Sequence, residues 1–99
     1  MLELPCKITK LLTDKNATEH DYISFDICLS KPNHTVKWFI NGVEIKDNNR
    51  IKPKQLDEFR FGLDIDDVHL EDAGPIKAVV FNDKGEEVLQ SEANLNVKG

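Results

Sequence analysis

The side chains best suited to chemistry in this chain are its two cysteines and three histidines. Cys6 and Cys28 could form a disulfide, and either could act as a nucleophile if a neighbouring base lowered its pKa. His20, His34 and His69 lack the short spacing of a zinc site, and we expect none of them to lie beside a cysteine. The spacing leaves a Cys6–Cys28 bridge open, but we expect free thiols, surface histidines, no metal and no cofactor.

An acidic segment offers the other candidate chemistry, which would be calcium binding or acid–base catalysis. Its members are Asp64, Asp66, Asp67, Glu71 and Asp72. The segment lacks the glycine-spaced pattern of a calcium loop and a partner that would form a cleft around it. We interpret it as a solvated face. No residues form an active site, so the chain is not expected to be an enzyme.

The charge distribution excludes several classes of partner. The formal net charge is -5, and the lysines are scattered among carboxylates rather than gathered into a basic surface. Such a chain has no positively charged surface that would attract phosphate backbones or anionic lipid, so we expect neither nucleic acid nor membrane as a partner. Protein partners are expected instead. The 99 residues suffice for one domain, 1–99, and are too few for two.

Apolar residues alternate with polar ones in several short segments, which is the pattern of half-buried β-strands. The alternating sets are Ile23, Phe25, Ile27 and Leu29; Val36, Trp38 and Ile40; Phe59, Phe61, Leu63 and Ile65; Ile76, Ala78 and Val80; and Ala93, Leu95 and Val97. Asn41-Gly42 predicts a hairpin turn, and the stretch from Pro5 to Ala17 predicts one or two edge strands. The chain is therefore predicted to be all-β, as a two-sheet antiparallel sandwich or a small barrel.

Four motifs favour the sandwich. They are Trp38, the stretch Leu63-Asp64-Ile65-Asp66-Asp67-Val68, the triplet Asp72-Ala73-Gly74, and Asn82 followed by Gly85. In this order they resemble the I-set immunoglobulin-like domain over residues 5–97. The segment from Leu29 to Gly42 is similar to the modules of giant muscle proteins of the titin, twitchin, projectin, obscurin and myosin-binding protein C type.

The resemblance implies a core that contains Trp38, Ile27, Ala78, Leu63 and Ile65. The cysteines of the family's intersheet disulfide fall on Ile27 and Ala78. The family's tyrosine near the sixth strand falls on Ile76, and its turn aspartate falls on Asp72, which is expected to pair with Arg50. An aliphatic pair in place of a disulfide is typical of proteins in which thiols stay reduced, so a cytoplasmic location is expected.

The resemblance implies a mechanical spacer and docking module of a multidomain cytoskeletal protein, most simply a sarcomeric one. Two alternatives stay open: an extracellular adhesion or receptor domain, and a module that flanks a kinase in a giant muscle protein. The sequons at Asn16 and Asn33, which are expected in exposed loops, favour the extracellular alternative.

Strand parity indicates one candidate contact surface. If Trp38 and Val80 face the core, then Phe39, Val79 and Phe81 face outward on neighbouring strands and form an apolar patch. Such a patch is either a partner surface or a cross-strand cluster that the stems of Lys37 and Lys77 shield.

Overall fold

The computed structural model describes residues 6–47 and 49–99, and Pro5 of the expected N-terminal edge region lies outside this range. The described residues form nine β-strands and one short 3₁₀ helix, Leu70–Asp72. The strands are β1 (Ile8–Lys10), β2 (Lys15–Thr18), β3 (Ile23–Leu29), β4 (Thr35–Ile40), β5 (Val43–Ile45), β6 (Ile51–Gln55), β7 (Arg60–Ile65), β8 (Gly74–Phe81) and β9 (Glu87–Lys98).

The strands form two separate sheets. The first sheet has the order β1-β3-β7-β6, and the second has the order β2-β9-β8-β4-β5. Each sheet is open and has its own edges, so the chain is a sandwich and not a closed barrel. The predicted all-β, two-sheet fold is confirmed.

One pairing departs from the predicted antiparallel sandwich. β2 runs parallel to β9, with Lys15 opposite Leu95 and Thr18 opposite Lys98. The reason is that the chain leaves the first sheet after β1 and continues in the same direction along the second sheet. The crossing is held by the buried Leu12, whose backbone N–H donates to Ser91 Oγ at 3.1 Å.

The core lies between the sheets, where the inward members of each alternating set meet. Trp38 is 1% exposed, and Ile27 and Ala78 are completely buried. The buried cluster also contains Phe25, Leu29, Ile40, Ile51, Phe61, Leu63, Ile65, Val68, Ile76, Val80, Ala93 and Leu95. A core of this kind is the main stabilising term of a small β-sandwich.

The β4–β5 hairpin forms at Asn41-Gly42, as predicted. Ile40 pairs with Val43, and both turn residues have positive φ angles, 53° for Asn41 and 81° for Gly42. These are the dihedral signs of the tight turn that matches the twist of two antiparallel strands.

Strand register defines two ends of the sandwich. At one end, which we call the Ile8 end, β1 meets the end of β3, with Ile8 opposite Leu29. At the other, which we call the Lys98 end, β9 finishes beside β2, and Glu19 N–H donates to the Lys98 carbonyl oxygen at 2.6 Å. The seven residues of β3 span the distance between the two ends, about 20 Å at the usual strand rise.

Candidate functional site

An ion pair at the Lys98 end joins β6 to the connection between β7 and β8. Arg50 Nη1 lies 2.6 Å from Asp72 Oδ2, and Arg50 Nη2 donates to Asp72 Oδ1 at 3.1 Å. The Asp72 side chain is only 6% exposed, and that of Arg50 is 24% exposed. This two-pronged contact fixes both partners, because a guanidinium and a carboxylate present matching planar groups.

The same carboxylate caps the 3₁₀ helix, since His69 N–H donates to Asp72 Oδ2 at 2.8 Å. Burial opposes ionisation of Asp72, but the hydrogen bonds from Arg50 and His69 and the charge of Arg50 outweigh it and lower its pKa. The hydrogen bond to Asp72 raises the pKa of Arg50. The pair is therefore ionised, and it holds the start of β6 against the β7–β8 connection.

Two histidines that lie in different loops converge on one carboxylate beside this pair. His20 Nδ1 is 2.6 Å from Asp67 Oδ1, and His69 Nε2 is 3.7 Å from Asp67 Oδ2. Glu71 Oε1 lies 3.3 Å from His69 Nδ1. The pairing of β3 with β7 explains their convergence, because it brings the loops before β3 and after β7 to the same end.

Asp67 and His20 change each other's ionisation. The hydrogen bond that His20 donates to Asp67 raises the pKa of His20, and the same contact lowers the pKa of Asp67. Both side chains are well exposed, 70% for His20 and 54% for Asp67, so solvent weakens the interaction. The raised pKa means that His20 stays protonated to a higher pH than an isolated histidine does.

Both cysteines have free thiols. Cys28 lies in β3 opposite Lys10, whereas Cys6 precedes β1 rather than lying in an edge strand as expected. Among residues 6–47 and 49–99, no three histidine, cysteine or acidic side chains are arranged to hold a metal ion.

The outward apolar residues of β4 and β8 lie together on the second sheet. Val79 is only 4% exposed even though it faces outward, while Phe39 and Phe81 are partly exposed. With Pro75, Lys77 and other residues they line a shallow hollow of about 410 Å³. Lys37 Nζ lies 5.2 Å from the centre of the Phe81 ring. The surface thus shows features of both alternatives that the sequence left open: the rings are partly exposed, as a partner surface needs, and a lysine covers one of them, as in a shielded cluster.

The outer face of the first sheet has the opposite character. Lys10 pairs with Asp26 and Lys54 pairs with Asp64, each at 2.8 Å. Tyr22 Oη donates to Asp64 Oδ1 at 2.8 Å. This face is covered by charge pairs, so the partly exposed aromatic rings of the second sheet mark a chemically distinct surface.

Comparison with known proteins decides the family. The model of the immunoglobulin I-set domain matches residues 6–97. The chain belongs to the immunoglobulin I-set family. The resemblance inferred from its motifs is confirmed.

Two curated relatives come from muscle. The domain is 30% identical over 95 residues to the muscle M-line assembly protein unc-89 of Caenorhabditis elegans. It is 42% identical over 52 residues to titin of Drosophila melanogaster. The first match covers 95% of this domain and only 1% of unc-89, and the second covers 52% of this domain and a share of titin that rounds to 0%. The I-set domain is thus homologous to a very small part of each muscle protein.

Solved structures agree with this assignment. The I9–I11 tandem of titin superimposes with a TM-score of 0.83 at 32% identity, over 96% of this domain and 34% of that chain. The titin M4 domain gives a TM-score of 0.85 at 26% identity, over 98% of this domain and 99% of that one.

Ile27 and Ala78, which the resemblance places at the positions of the family's intersheet cysteines, are both completely buried. Ile76, at the position of the family's tyrosine, is also buried. All three join the apolar core, where dispersion and burial contribute in place of a covalent bond and a tyrosine hydrogen bond.

Asn33 lies in the loop after β3, but Asn16 lies in β2 and not in a loop as expected. The difference arises because β2 forms an edge strand, where Asn16 stays exposed and accepts a hydrogen bond from Asn96. In the described parts of the I-set domain, no helix has the length and apolarity needed to cross a membrane.

Proposed function

We propose that this I-set domain is a load-bearing spacer in a larger cytoplasmic protein of the sarcomere, and that its role is structural rather than catalytic. The muscle relatives support the setting, since one is described as an M-line assembly protein. The alignment with 34% of a titin tandem supports a place among neighbouring domains. The buried aliphatic pair at Ile27 and Ala78 supports a reducing compartment.

The observation that carries the spacer role is the position of β2 beside β9. Tension applied through β1 and the end of β9 pulls on opposite ends of the sandwich. Because β2 and β9 are parallel and pair from Lys15–Leu95 to Thr18–Lys98, this tension acts along the strands. Their hydrogen bonds must then be strained together rather than opened one at a time, which raises the barrier to forced unfolding.

Single-molecule stretching of a concatemer tests this role. Adjacent residues of a strand direct their N–H groups to opposite sides, so either Asn16 or Ala17 donates its N–H toward β9. Proline has no N–H, so one of Asn16→Pro and Ala17→Pro must remove a β2–β9 hydrogen bond. That variant should lower the unfolding force markedly. Val43→Pro and Glu44→Pro are matched controls in β5, an edge strand outside the loaded pair. Equal losses of force in both strands, or no loss in β2, would contradict the proposal.

A second proposed role is protein binding through the outer face of the second sheet. Phe39 and Phe81 are partly exposed there, whereas the opposite outer face is covered by ion pairs. Partly exposed aromatic rings around a hollow are typical of residues that contribute strongly to protein–protein binding. Filament proteins of the sarcomere are the partners we propose.

Cosedimentation with purified muscle thick and thin filaments tests the binding role. The double substitution Phe39→Thr and Phe81→Thr should weaken binding while the domain stays folded, because threonine suits an exposed strand position. Tyr22→Thr is the matched control, since Tyr22 is 59% exposed and its ring lies away from this face. If the double variant binds as well as the parent and loses stability instead, the rings serve packing and not docking.

A further inference from the structure

The turn between β4 and β5 contains the one Asn-Gly pair of the sequence, Asn41-Gly42, and both residues are exposed. The Asn41 side chain leaves the hairpin and contacts another segment. Its Nδ2 donates to the carbonyl oxygen of Ala73 at 3.0 Å and to that of Glu71 at 3.3 Å. Asn41 also donates its backbone N–H to the Pro75 carbonyl oxygen at 3.0 Å. One residue therefore ties the β4–β5 turn to the β7–β8 connection.

The same residue carries latent covalent chemistry. Gly42 has no Cβ, so its backbone nitrogen can approach the carboxamide carbon of Asn41 without steric hindrance. When that nitrogen loses its proton and bonds to Asn41 Cγ, the Cγ–Nδ2 bond breaks and ammonia leaves. Water then hydrolyses the cyclic imide at either carbonyl, which gives aspartate or isoaspartate. Water is the only co-reactant, and no electron transfer is involved.

We propose that Asn41 is a site of spontaneous deamidation whose reaction is gated by opening of its contacts with Glu71 and Ala73. Contacts on both sides restrict the Asn41 carboxamide. Its Nδ2 donates to the carbonyl oxygens of Glu71 and Ala73, and its Oδ1 lies against Gly74. A Cβ placed on Gly74 would be only 2.0 Å from Asn41 Oδ1. Ring closure has to rotate the carboxamide out of this position and break both hydrogen bonds. We call the turn with both bonds intact the closed turn, and it protects Asn41.

The product would not restore the closed structure. Aspartate at position 41 has no side-chain N–H to donate, and its ionised oxygens would face the carbonyl oxygens of Glu71 and Ala73. Two acceptors that face each other cannot form a hydrogen bond, so the contact that had stabilised the turn is lost. Deamidation at this turn is therefore self-reinforcing, because the modified side chain disfavours the contacts that had protected the asparagine.

Asn82 provides the matched comparison within the same chain. Its side-chain oxygen accepts hydrogen bonds from the backbone N–H groups of Lys84 and Glu86, both at 2.9 Å. A carboxylate keeps those two acceptor contacts. Asn82 Nδ2 also donates to Glu86 Oε1 at 3.2 Å, but Glu86 is exposed, so its side chain can turn away from a new carboxylate. The change from asparagine to aspartate should therefore matter more at Asn41, where two backbone carbonyl oxygens lose their donor, than at Asn82.

Peptide mapping by mass spectrometry tests the gating directly. The full chain is incubated at mildly alkaline pH, folded in buffer and unfolded in urea, and aspartate plus isoaspartate are quantified at Asn41 and Asn82. We expect the unfolded chain to react fastest at Asn41, and the folded chain to react there at least about tenfold more slowly, as expected for two hydrogen bonds that must open. Gly42→Asn, which tolerates positive φ, should slow the reaction in the unfolded chain. Equal rates at Asn41 in both states would overturn the proposal.

Urea unfolding tests the consequence. Asn41→Asp should raise the unfolding equilibrium constant at least about tenfold, since it loses two donated hydrogen bonds, whereas Asn82→Asp should change it far less. Similar effects of the two substitutions would overturn the proposed role of the donated bonds. If Asn41→Asp fails to fold, the rate comparison in the unsubstituted chain still decides whether the closed turn protects Asn41.

Discussion

Removing the guanidinium of Arg50 should destabilise the domain strongly at neutral pH. The structural reason is the burial of its partner, since the Asp72 side chain is 6% exposed. Arg50→Met keeps an unbranched stem of similar reach but leaves the carboxylate without its cation. Breaking a buried pair in this way costs about 3–5 kcal/mol. Asp72 keeps the hydrogen bond from His69 N–H at 2.8 Å, so we expect the lower part of that range, about 3 kcal/mol.

The pH dependence has a definite sign. In the unsubstituted domain the pKa of Asp72 is lowered, so its stabilisation is present above the unfolded carboxyl pKa and is lost as pH falls through the lower folded value. In Arg50→Met the cation and its hydrogen bonds are gone, so the pKa of Asp72 should be higher than in the unsubstituted domain. The difference in stability between the two proteins should therefore be largest at pH 7 and should shrink as the pH approaches about 4.

Urea titrations followed by tryptophan fluorescence measure this difference, because the single tryptophan, Trp38, is 1% exposed in the folded domain. Adding Asp72→Asn to Arg50→Met should recover part of the lost stability, since it removes the unpaired charge. Lys10→Met is the control: the Lys10–Asp26 pair is also 2.8 Å long, but its lysine is 58% exposed, and solvent leaves such pairs with little net effect. The reasoning is wrong if Arg50→Met loses no more stability than Lys10→Met.

Three further predictions concern the core, the thiols and the histidine cluster. Trp38→Ala should cost about 3–5 kcal/mol of unfolding free energy, and a loss below about 1 kcal/mol would contradict its position in the core. Urea midpoints with and without reductant should agree, because Cys6 and Cys28 are free, and a large loss on reduction would show that they are bridged. In an NMR titration the pKa of His20 should lie above that of an unperturbed histidine, and Asp67→Asn should return it to normal. The stabilisation from this contact is complete below about pH 6.5 and disappears as pH rises through the folded value, so Asp67→Asn should be less harmful at pH 8 than at pH 6.

The strands that the sequence predicted best are those with one buried face. β3, β4, β7, β8 and β9 all contain the predicted alternation, because burial of one face imposes a period of two on the residues. β6 contains Pro53 and three lysine or glutamine residues within Ile51–Gln55, so it carries no such alternation. Its place at an edge explains this composition, since an edge strand tolerates proline and gains from charge.

The features that the sequence did not predict depend on which loops meet. His20 and His69 are separated widely along the chain, and their loops meet through the β3–β7 pairing and through the hydrogen bond from His20 N–H to the Val68 carbonyl oxygen. The contact of Asn41 with Ala73 and Glu71 likewise depends on β4 lying beside β8. Local spacing carries no information about either contact. The outward position of Phe39 and Phe81 did follow from parity, but the near-complete burial of Val79 did not, because it depends on the lengths of the surrounding side chains.

The polar contacts at the Lys98 end explain how a domain whose cysteines are free can hold its loops in place without a disulfide bond. Arg50 joins β6 to Asp72, Asn41 joins the β4–β5 turn to the same connection, and Glu19 N–H bonds to the last residue of β9. Each contact links segments that are distant in sequence, so each restricts the chain much as a crosslink would. None of them needs an oxidising compartment. The two sheets are held by an apolar core between them and by this polar network at the end where β9 finishes beside β2.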